Sequence, residues 1–241
     1  MSGVELILDI DLGNSAMKYR CGSQRGRLDY PSQTEFVLPA IAPPQRVRIA
    51  SVLDRARNDR LVGAIEQRWG VGCEFARSTQ NCAGVENGYT EPAALGIDRW
   101  LAVLAAHAQV EGAVLVADLG TAATLDFVTG EGVHQGGFIV PGSTLMRRSL
   151  LQDTAAIRFE EKDNISDISP GIQTSDAVER GALVALVQLL DGELERFRRL
   201  CDHNARLVLC GGDAERVAVH LRSDHRVIPD LVLDGLALAL P

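Results

Sequence analysis

The sequence predicts an α/β protein built from two similar halves. Two stretches carry the expectation. Leu6–Lys18 reads Leu-Ile-Leu-Asp-Ile-Asp-Leu-Gly-Asn-Ser-Ala-Met-Lys, and Leu115–Asp126 reads Leu-Val-Ala-Asp-Leu-Gly-Thr-Ala-Ala-Thr-Leu-Asp. Each is an apolar strand pattern ending in Asp-Leu-Gly and small polar residues. Strand patterns also alternate with helical ones along the chain, which is the sign of an α/β layer structure.

Each copy has a physical logic. The strand fixes a carboxylate at its end, and glycine lets the chain turn and lets backbone approach a ligand closely. Turn N–H groups with Asn14, Ser15, Thr121 and Thr124 suit phosphate oxygens, and Asp11 and Asp118 suit a cation. Asp-x-Gly after a strand is also an ordinary hairpin turn. Its repetition favours phosphate and metal chemistry.

A chain of 241 residues forms one large domain or two of ordinary size, and the repeat favours two. With 46% hydrophobic and 23% charged residues it has no disordered tract. A net charge of −8 argues against a surface built for nucleic acid or anionic membrane. Glu5, Asp9 and Asp11 interrupt the first apolar run, so it reads neither as a signal peptide nor as a membrane span. Cys21, Cys73, Cys82, Cys201 and Cys210 are odd in number and lack paired spacing, which fits reduced thiols in the cytoplasm. The histidines lack zinc-ligand spacing.

In order, Val4–Ile10 reads as a strand, Asp11–Ser15 as its turn and Ala16–Cys21 as a hairpin partner. Asp9 shares a strand face with Asp11, so it either joins a metal or is a polar strand residue. Arg27–Pro44 is turn-rich, Arg46–Leu53 is a β-branched strand, and Asn58–Trp69 has helical spacing through Leu61 and Ile65. A glycine-bearing loop, Cys82–Pro92, leads into a helix over Ala93–Val110. After the central strand come a hairpin partner, Leu125–Val128, a strand at Gly136–Pro141 and a helix at Thr144–Ala156. Glu160–Ser169 is a polar loop, and Thr174–Leu200 is a long helix with Thr174 as N-cap and Asp176 in its first turn. Its middle, Gly181–Leu190, is apolar nearly all round, which fits burial between layers or a dimer interface. Arg206–Leu209 is a strand entering the turn Cys210-Gly-Gly-Asp-Ala214, with a helix at Glu215–Leu221, a strand at Val227–Ile228 and a closing helix at Leu231–Leu240.

Asp98 stands in a helix's first turn, where capping and the macrodipole favour a carboxylate without further function. The adjacent Arg99, Gly96 and the Tyr89 loop equally suit an anion pocket with Asp98 as base.

The order strand–Asp-x-Gly, strand–Asp-x-Gly-Thr, strand–Gly-Gly–helix is similar to the actin-like ATPase and sugar-kinase superfamily. That likeness implies two ribonuclease H-like halves, each a mixed sheet flanked by helices, with a nucleotide cleft between them. Within this group the chain resembles type III pantothenate kinases nearly end to end. The most specific piece is Tyr89-x-x-Pro92-x-x-x-Gly96-x-Asp98-Arg99-Trp100, joined by Asp11-Leu-Gly-Asn-Ser-x-x-Lys18, Asp118-Leu-Gly-Thr121 and Gly171-x-x-Thr174.

The resemblance implies ATP-dependent phosphorylation of pantothenate to 4'-phosphopantothenate, the first step of coenzyme A biosynthesis. Asp98 would be the general base; Tyr89, Gly96, Ile97, Asp98 and Arg99 would hold pantothenate, with Thr174 supplied by the neighbouring subunit of a homodimer. Asp11, Leu12, Gly13, Asn14, Ser15, Ala16, Met17 and Lys18 would bind ATP phosphates, with Asp11 on Mg²⁺. Thr121 would touch ATP, Asp118 would hold a monovalent cation, K⁺ or NH₄⁺, and residues 210–214 would form the adenosine turn. Glu91 departs from the Asn common in the family, and Ser15 from its usual Thr.

The expected division is 1–112, with the phosphate turn 11–18 and substrate segment 89–99, and 113–241, with the turn 118–126 and dimer helix 174–200. No nucleic-acid or membrane partner is expected. Two other readings are an accessory factor for gene expression that keeps the kinase fold, and a superfamily kinase acting on a sugar or acetate.

Overall fold

The computed structural model describes residues 5–30, 35–153, 167–201 and 203–241. Packing divides the chain into two compact units, Met1–Ala105 with Asp230–Pro241, and Ala106–Pro229. The described helices are α1 (Arg55–Trp69), α2 (Ile97–Gln109), α3 (Ser143–Asp153), α4 (Thr174–Leu200), α5 (Ala214–Ala218) and α6 (Leu231–Ala239).

In the first unit β1 (Ile7–Leu12), β2 (Ala16–Cys21), β3 (Gln24–Asp29), β4 (Arg46–Ser51) and β5 (Cys73–Phe75) form a sheet ordered β3-β2-β1-β4-β5. The first three strands are antiparallel neighbours, whereas β4 and β5 continue parallel to β1. Alternation sends Leu8, Ile10 and Leu12 to one face, where they join Val47, Ile49 and the Leu61 and Ile65 stripe of α1 in one core. Asp54 caps α1 by accepting from the Arg57 N–H at 2.9 Å, and Gly70, left-handed at φ 68°, ends it.

A short hairpin, β6 (Asn81–Cys82) with β7 (Val85–Glu86), precedes α2. In the second unit β8 (Val114–Leu119), β9 (Ala122–Val128), β10 (His134–Pro141), β11 (Arg206–Cys210) and β12 (His225–Val227) are ordered β10-β9-β8-β11-β12. The antiparallel and parallel pairings repeat those of the first sheet. Leu115, Ala117 and Leu119 share a core with Leu207, Leu209 and the Leu183, Leu186, Leu190 and Leu194 stripe of α4. The predicted α/β architecture of two similar halves is therefore present, as a mixed sheet with helices in each unit.

Register makes the duplication explicit. Asp11 is flanked by Lys18 and Ala50, and Asp118 by Thr124 and Cys210. Two residues back along the strands, Asp9 lies between Arg20 and Arg48, where the second sheet has Val116 between Asp126 and Val208.

Asp9 is 3% exposed and Arg48 7%. Arg48 Nε donates to Asp9 Oδ1 at 2.7 Å, and Arg20 Nη2 donates to Asp9 Oδ2 at 3.2 Å. The same arginines grip α6: Arg20 reaches Asp234 at 2.5 Å and the Leu233 carbonyl at 2.8 Å, and Arg48 the Leu240 carbonyl at 2.7 Å. A Cβ on Gly235 would fall on the Leu101 carbonyl, so glycine lets α6 lie directly on α2. The sequence boundary at residue 112 groups α6 with the C-terminal half; its packing groups it with the first unit.

Several element boundaries differ from the sequence reading. Asp11 is still in register within β1 and not yet in the turn. β3 lies partly in the stretch read as turns, because an exposed edge strand shows little apolar alternation. α1 starts at Arg55 because Asp54 is its cap. Pro92–Ala94 is a separate 3₁₀ turn, and α2 begins at Ile97. Thr174 is the first helical residue of α4, with Gln173 as N-cap and no side-chain cap bond. Residues 154–156 of the expected helix and 160–166 of the expected loop lie outside the described residues. Among the described residues no helix is long and apolar enough to cross a membrane.

Candidate active site

The first phosphate-type turn grows out of the β1–β2 pairing. Gly13 N–H donates to the Ala16 carbonyl at 3.1 Å, leaving Asn14 and Ser15 exposed at the tip. Tyr30, just past β3, donates its hydroxyl to the Gly13 carbonyl at 3.0 Å. Val52 N–H, just past the end of β4, donates to the Leu12 carbonyl at 3.2 Å, so two neighbouring segments brace the turn. Asp11 and Lys18 are directly opposed cross-strand partners on one face of the sheet.

The substrate-type segment is organised by a residue that the sequence reading passed over. Asn87, 3% exposed, donates from Nδ2 to the Thr79 and Pro92 carbonyls, each at 3.2 Å. Its Oδ1 accepts from the Tyr89 N–H at 3.0 Å. An Asn followed by Gly in a loop of this length was the available signal. Tyr89 in turn meets the buried Arg99: Arg99 Nη1 donates to the Tyr89 hydroxyl at 2.7 Å, and the guanidinium carbon lies 5.6 Å from the ring centroid.

Asp98 occupies the first turn of α2, and its Oδ1 accepts from the Arg99 N–H at 2.8 Å. A Cβ on Gly96 would stand 2.8 Å from that oxygen, so glycine at this place leaves the carboxylate its room. Gly96 also supplies the carbonyl that accepts from Trp100 N–H at 2.9 Å, and Ile97 opens the helix. Tyr89, Gly96, Ile97, Asp98 and Arg99 are thus gathered at one helix start. Glu91 is exposed and its side chain makes no cap bond.

In the second unit the corresponding turn is one residue tighter: Gly120 N–H donates to the Ala122 carbonyl at 3.1 Å, and Thr121 alone forms the exposed tip. Two further loops close on it. Gly142 N–H donates to the Thr121 carbonyl at 3.0 Å, and a Cβ there would stand 2.7 Å from that oxygen. Gly211, at φ 92°, lies against Asp118 and Leu119, and Asp213 N–H donates to the Leu119 carbonyl at 2.9 Å. Ser143 Oγ donates to Asp213 Oδ2, which ties the start of α3 to the Gly-Gly turn.

Behind these loops the fully buried Glu179 of α4 accepts from Arg147 Nη1 of α3 at 2.6 Å and faces Arg216 Nη2 of α5 at 3.9 Å. Thr174 is exposed at the start of α4, in the same unit as Asp118 and Thr121.

These residues bear on the groups a nucleotide-dependent site needs. Among the described residues no cluster of three or more His, Cys or carboxylate ligands exists. Asp9 is committed to arginines, so Asp11 is the carboxylate at the first turn. One carboxylate beside a phosphate turn suits Mg²⁺, which keeps waters and takes its remaining oxygens from phosphates. At Gly142 and Gly211 the absence of a Cβ lets two loops pack directly on the Asp118–Thr121 turn.

Comparison with known proteins bears on the whole chain. The sequence model of the type III pantothenate kinase family matches residues 7–196. Type III pantothenate kinases of Pseudomonas aeruginosa and Pseudomonas putida are 38% and 39% identical, each alignment covering 98% of this chain and 99% of the relative. Among solved structures, a conserved protein of Campylobacter jejuni described as a Baf family transcriptional activator superposes with a TM-score of 0.60 at 20% identity, over 95% of each chain. A protein of Listeria monocytogenes assigned as an N-acetylmannosamine kinase gives 0.50 at 13% identity, over 96% of this chain and 97% of its own. At these identities the two structures bear on the fold. The family match and the full-length relatives reach further: the chain belongs to the type III pantothenate kinase family.

Proposed function

We infer that the protein phosphorylates pantothenate with ATP, giving 4'-phosphopantothenate and ADP in coenzyme A biosynthesis. Family membership supports the activity. The observation that carries the assignment of roles is the cluster at the start of α2, with a carboxylate, Asp98, beside a buried guanidinium, Arg99, which is itself held by Tyr89.

Arg99 supplies charge for the pantothenate carboxylate, and Tyr89 fixes the guanidinium plane, so the substrate hydroxyl is oriented toward Asp98. Asp98 takes the proton of that hydroxyl as the oxygen bonds to the γ-phosphorus and the bond to the ADP oxygen breaks. Asn14, Ser15 and the backbone N–H groups of residues 11–18 hold phosphate oxygens, with Lys18 adding charge. Mg²⁺ held at Asp11 supplies charge neutralisation on the transferring group. Asp118 holds a monovalent cation, Thr121 touches ATP, and the close-packed Gly-Gly turn at Gly211 receives the adenosine. Thr174, exposed at the start of α4, reaches the pantothenate of a partner subunit in a homodimer.

Incubation with pantothenate, ATP and Mg²⁺, with and without K⁺, tests the reading. Mass spectrometry should find phosphopantothenate in step with ADP, with more formed in K⁺. Product from a sugar or acetate but not from pantothenate would contradict it.

A further inference from the structure

Arg57 stands in the first turn of α1, where its backbone N–H is taken by Asp54. Its guanidinium lies over the Tyr30 ring at 4.7 Å and near the Phe36 ring at 5.8 Å. Tyr30 is the residue whose hydroxyl holds the Gly13 carbonyl, so the stack sets Arg57 one ring away from the first phosphate turn. Among the described residues the guanidinium makes no ion pair, and Nε is buried without a hydrogen-bond partner. Stacking on aromatic faces steadies a guanidinium but does not neutralise it, and a half-buried cation calls for an anion.

The turn itself lacks surplus positive charge. Asp11 and Lys18, opposed in register across the hairpin, bring one charge of each sign, whereas a nucleotide polyphosphate stays anionic even with its Mg²⁺. The Tyr30 phenol, pushed up to about 12 by burial, feels both the Arg57 and the Asp11 charge, so both lie within electrostatic reach of the same ring.

We propose that Arg57 is a polyphosphate-binding residue whose guanidinium, shelved on Tyr30, supplies the positive charge that the Asp11–Lys18 turn lacks. This rests on the reading that the turn holds ATP phosphates. Arg57 discriminates nucleotides by the charge of their phosphate chain and makes no contribution to the nucleoside.

The test is calorimetric binding of MgATP and of adenosine to the wild type, Arg57→Gln, Arg57→Lys and Lys18→Gln, with thermal melts confirming that each variant is folded. Arg57→Gln should weaken MgATP about 10-fold and flatten its salt dependence, leave adenosine unchanged, and be largely rescued in Arg57→Lys. If Lys18→Gln weakens MgATP and Arg57→Gln does not, the role of Arg57 falls while the turn keeps its own. If neither variant weakens MgATP, the reading of the turn falls as well. Equal losses for MgATP and adenosine in Arg57→Gln, without rescue by lysine, would make Arg57 a structural support and overturn the proposal.

Discussion

Arg99 and Tyr89 are joined twice, by a 2.7 Å hydrogen bond from Nη1 to the phenol oxygen and by the guanidinium lying 5.6 Å from the ring centroid. The pair is anchored below by Asn87, which takes the Tyr89 N–H, so a buried cation is aimed by an aromatic ring that a loop holds in place.

Tyr89→Phe keeps the ring and removes the acceptor. Losing one hydrogen bond to a charged group should raise the KM for pantothenate about 10-fold with kcat changed less than about 3-fold, as steady-state kinetics at saturating ATP will show. A fall in kcat at unchanged KM would mean that Tyr89 acts on the reacting atoms and not on the pose of Arg99.

Asp9 lies close enough in sequence to Asp11 to suggest a shared metal, yet its oxygens are taken by Arg48 and Arg20. Asp9→Val should cost about 3–5 kcal/mol in urea unfolding, because Arg48 is left buried without its partner. The double variant Asp9→Val/Arg48→Val should recover much of that loss, since the equivalent positions in the second sheet are already Val116 and Val208. Neither variant should change the Mg²⁺ requirement of the folded enzyme; a shift of tenfold or more would put Asp9 on the metal.

Tyr30 gives the protein an alkaline limb. Burial raises its phenol from 10 to about 12, so the unfolded chain ionises first. Its contribution is full below pH 10 and is lost as pH rises toward 12, about 2 kcal/mol in all. Burial also raises the Cys73 thiol, to about 11, with the same sign, so the useful comparison is with Tyr30→Phe, which keeps Cys73. Urea unfolding between pH 9.5 and 11.5 should show the wild type losing stability more steeply; parallel slopes would contradict the assignment.

Where sequence legibility ended has physical reasons. Leu8, Ile10 and Leu12, like Leu115, Ala117 and Leu119, alternate because one sheet face is buried, and that pattern with its Asp-Leu-Gly ending revealed the duplication. The exposed edge β3 and the three-residue β5 carry too little alternation to be seen. The position of α6 depends on Asp234 meeting Arg20, a contact between residues more than two hundred apart in the chain, and no local pattern encodes it. Asp98 and Arg99 were legible by resemblance, whereas Asn87, which positions Tyr89, and Tyr30, which braces Gly13, act through backbone hydrogen bonds that a residue pattern does not display.

The central claim is that Asp98 takes the proton during phosphoryl transfer. The direct measurement is kcat and KM of wild type and Asp98→Asn at saturating MgATP and K⁺, with binding of pantothenate and MgATP measured separately by calorimetry. Loss of a general base should lower kcat by about 10²–10⁴-fold while both ligands still bind within a few-fold of wild type. An Asp98→Asn enzyme that retains wild-type kcat would contradict the account.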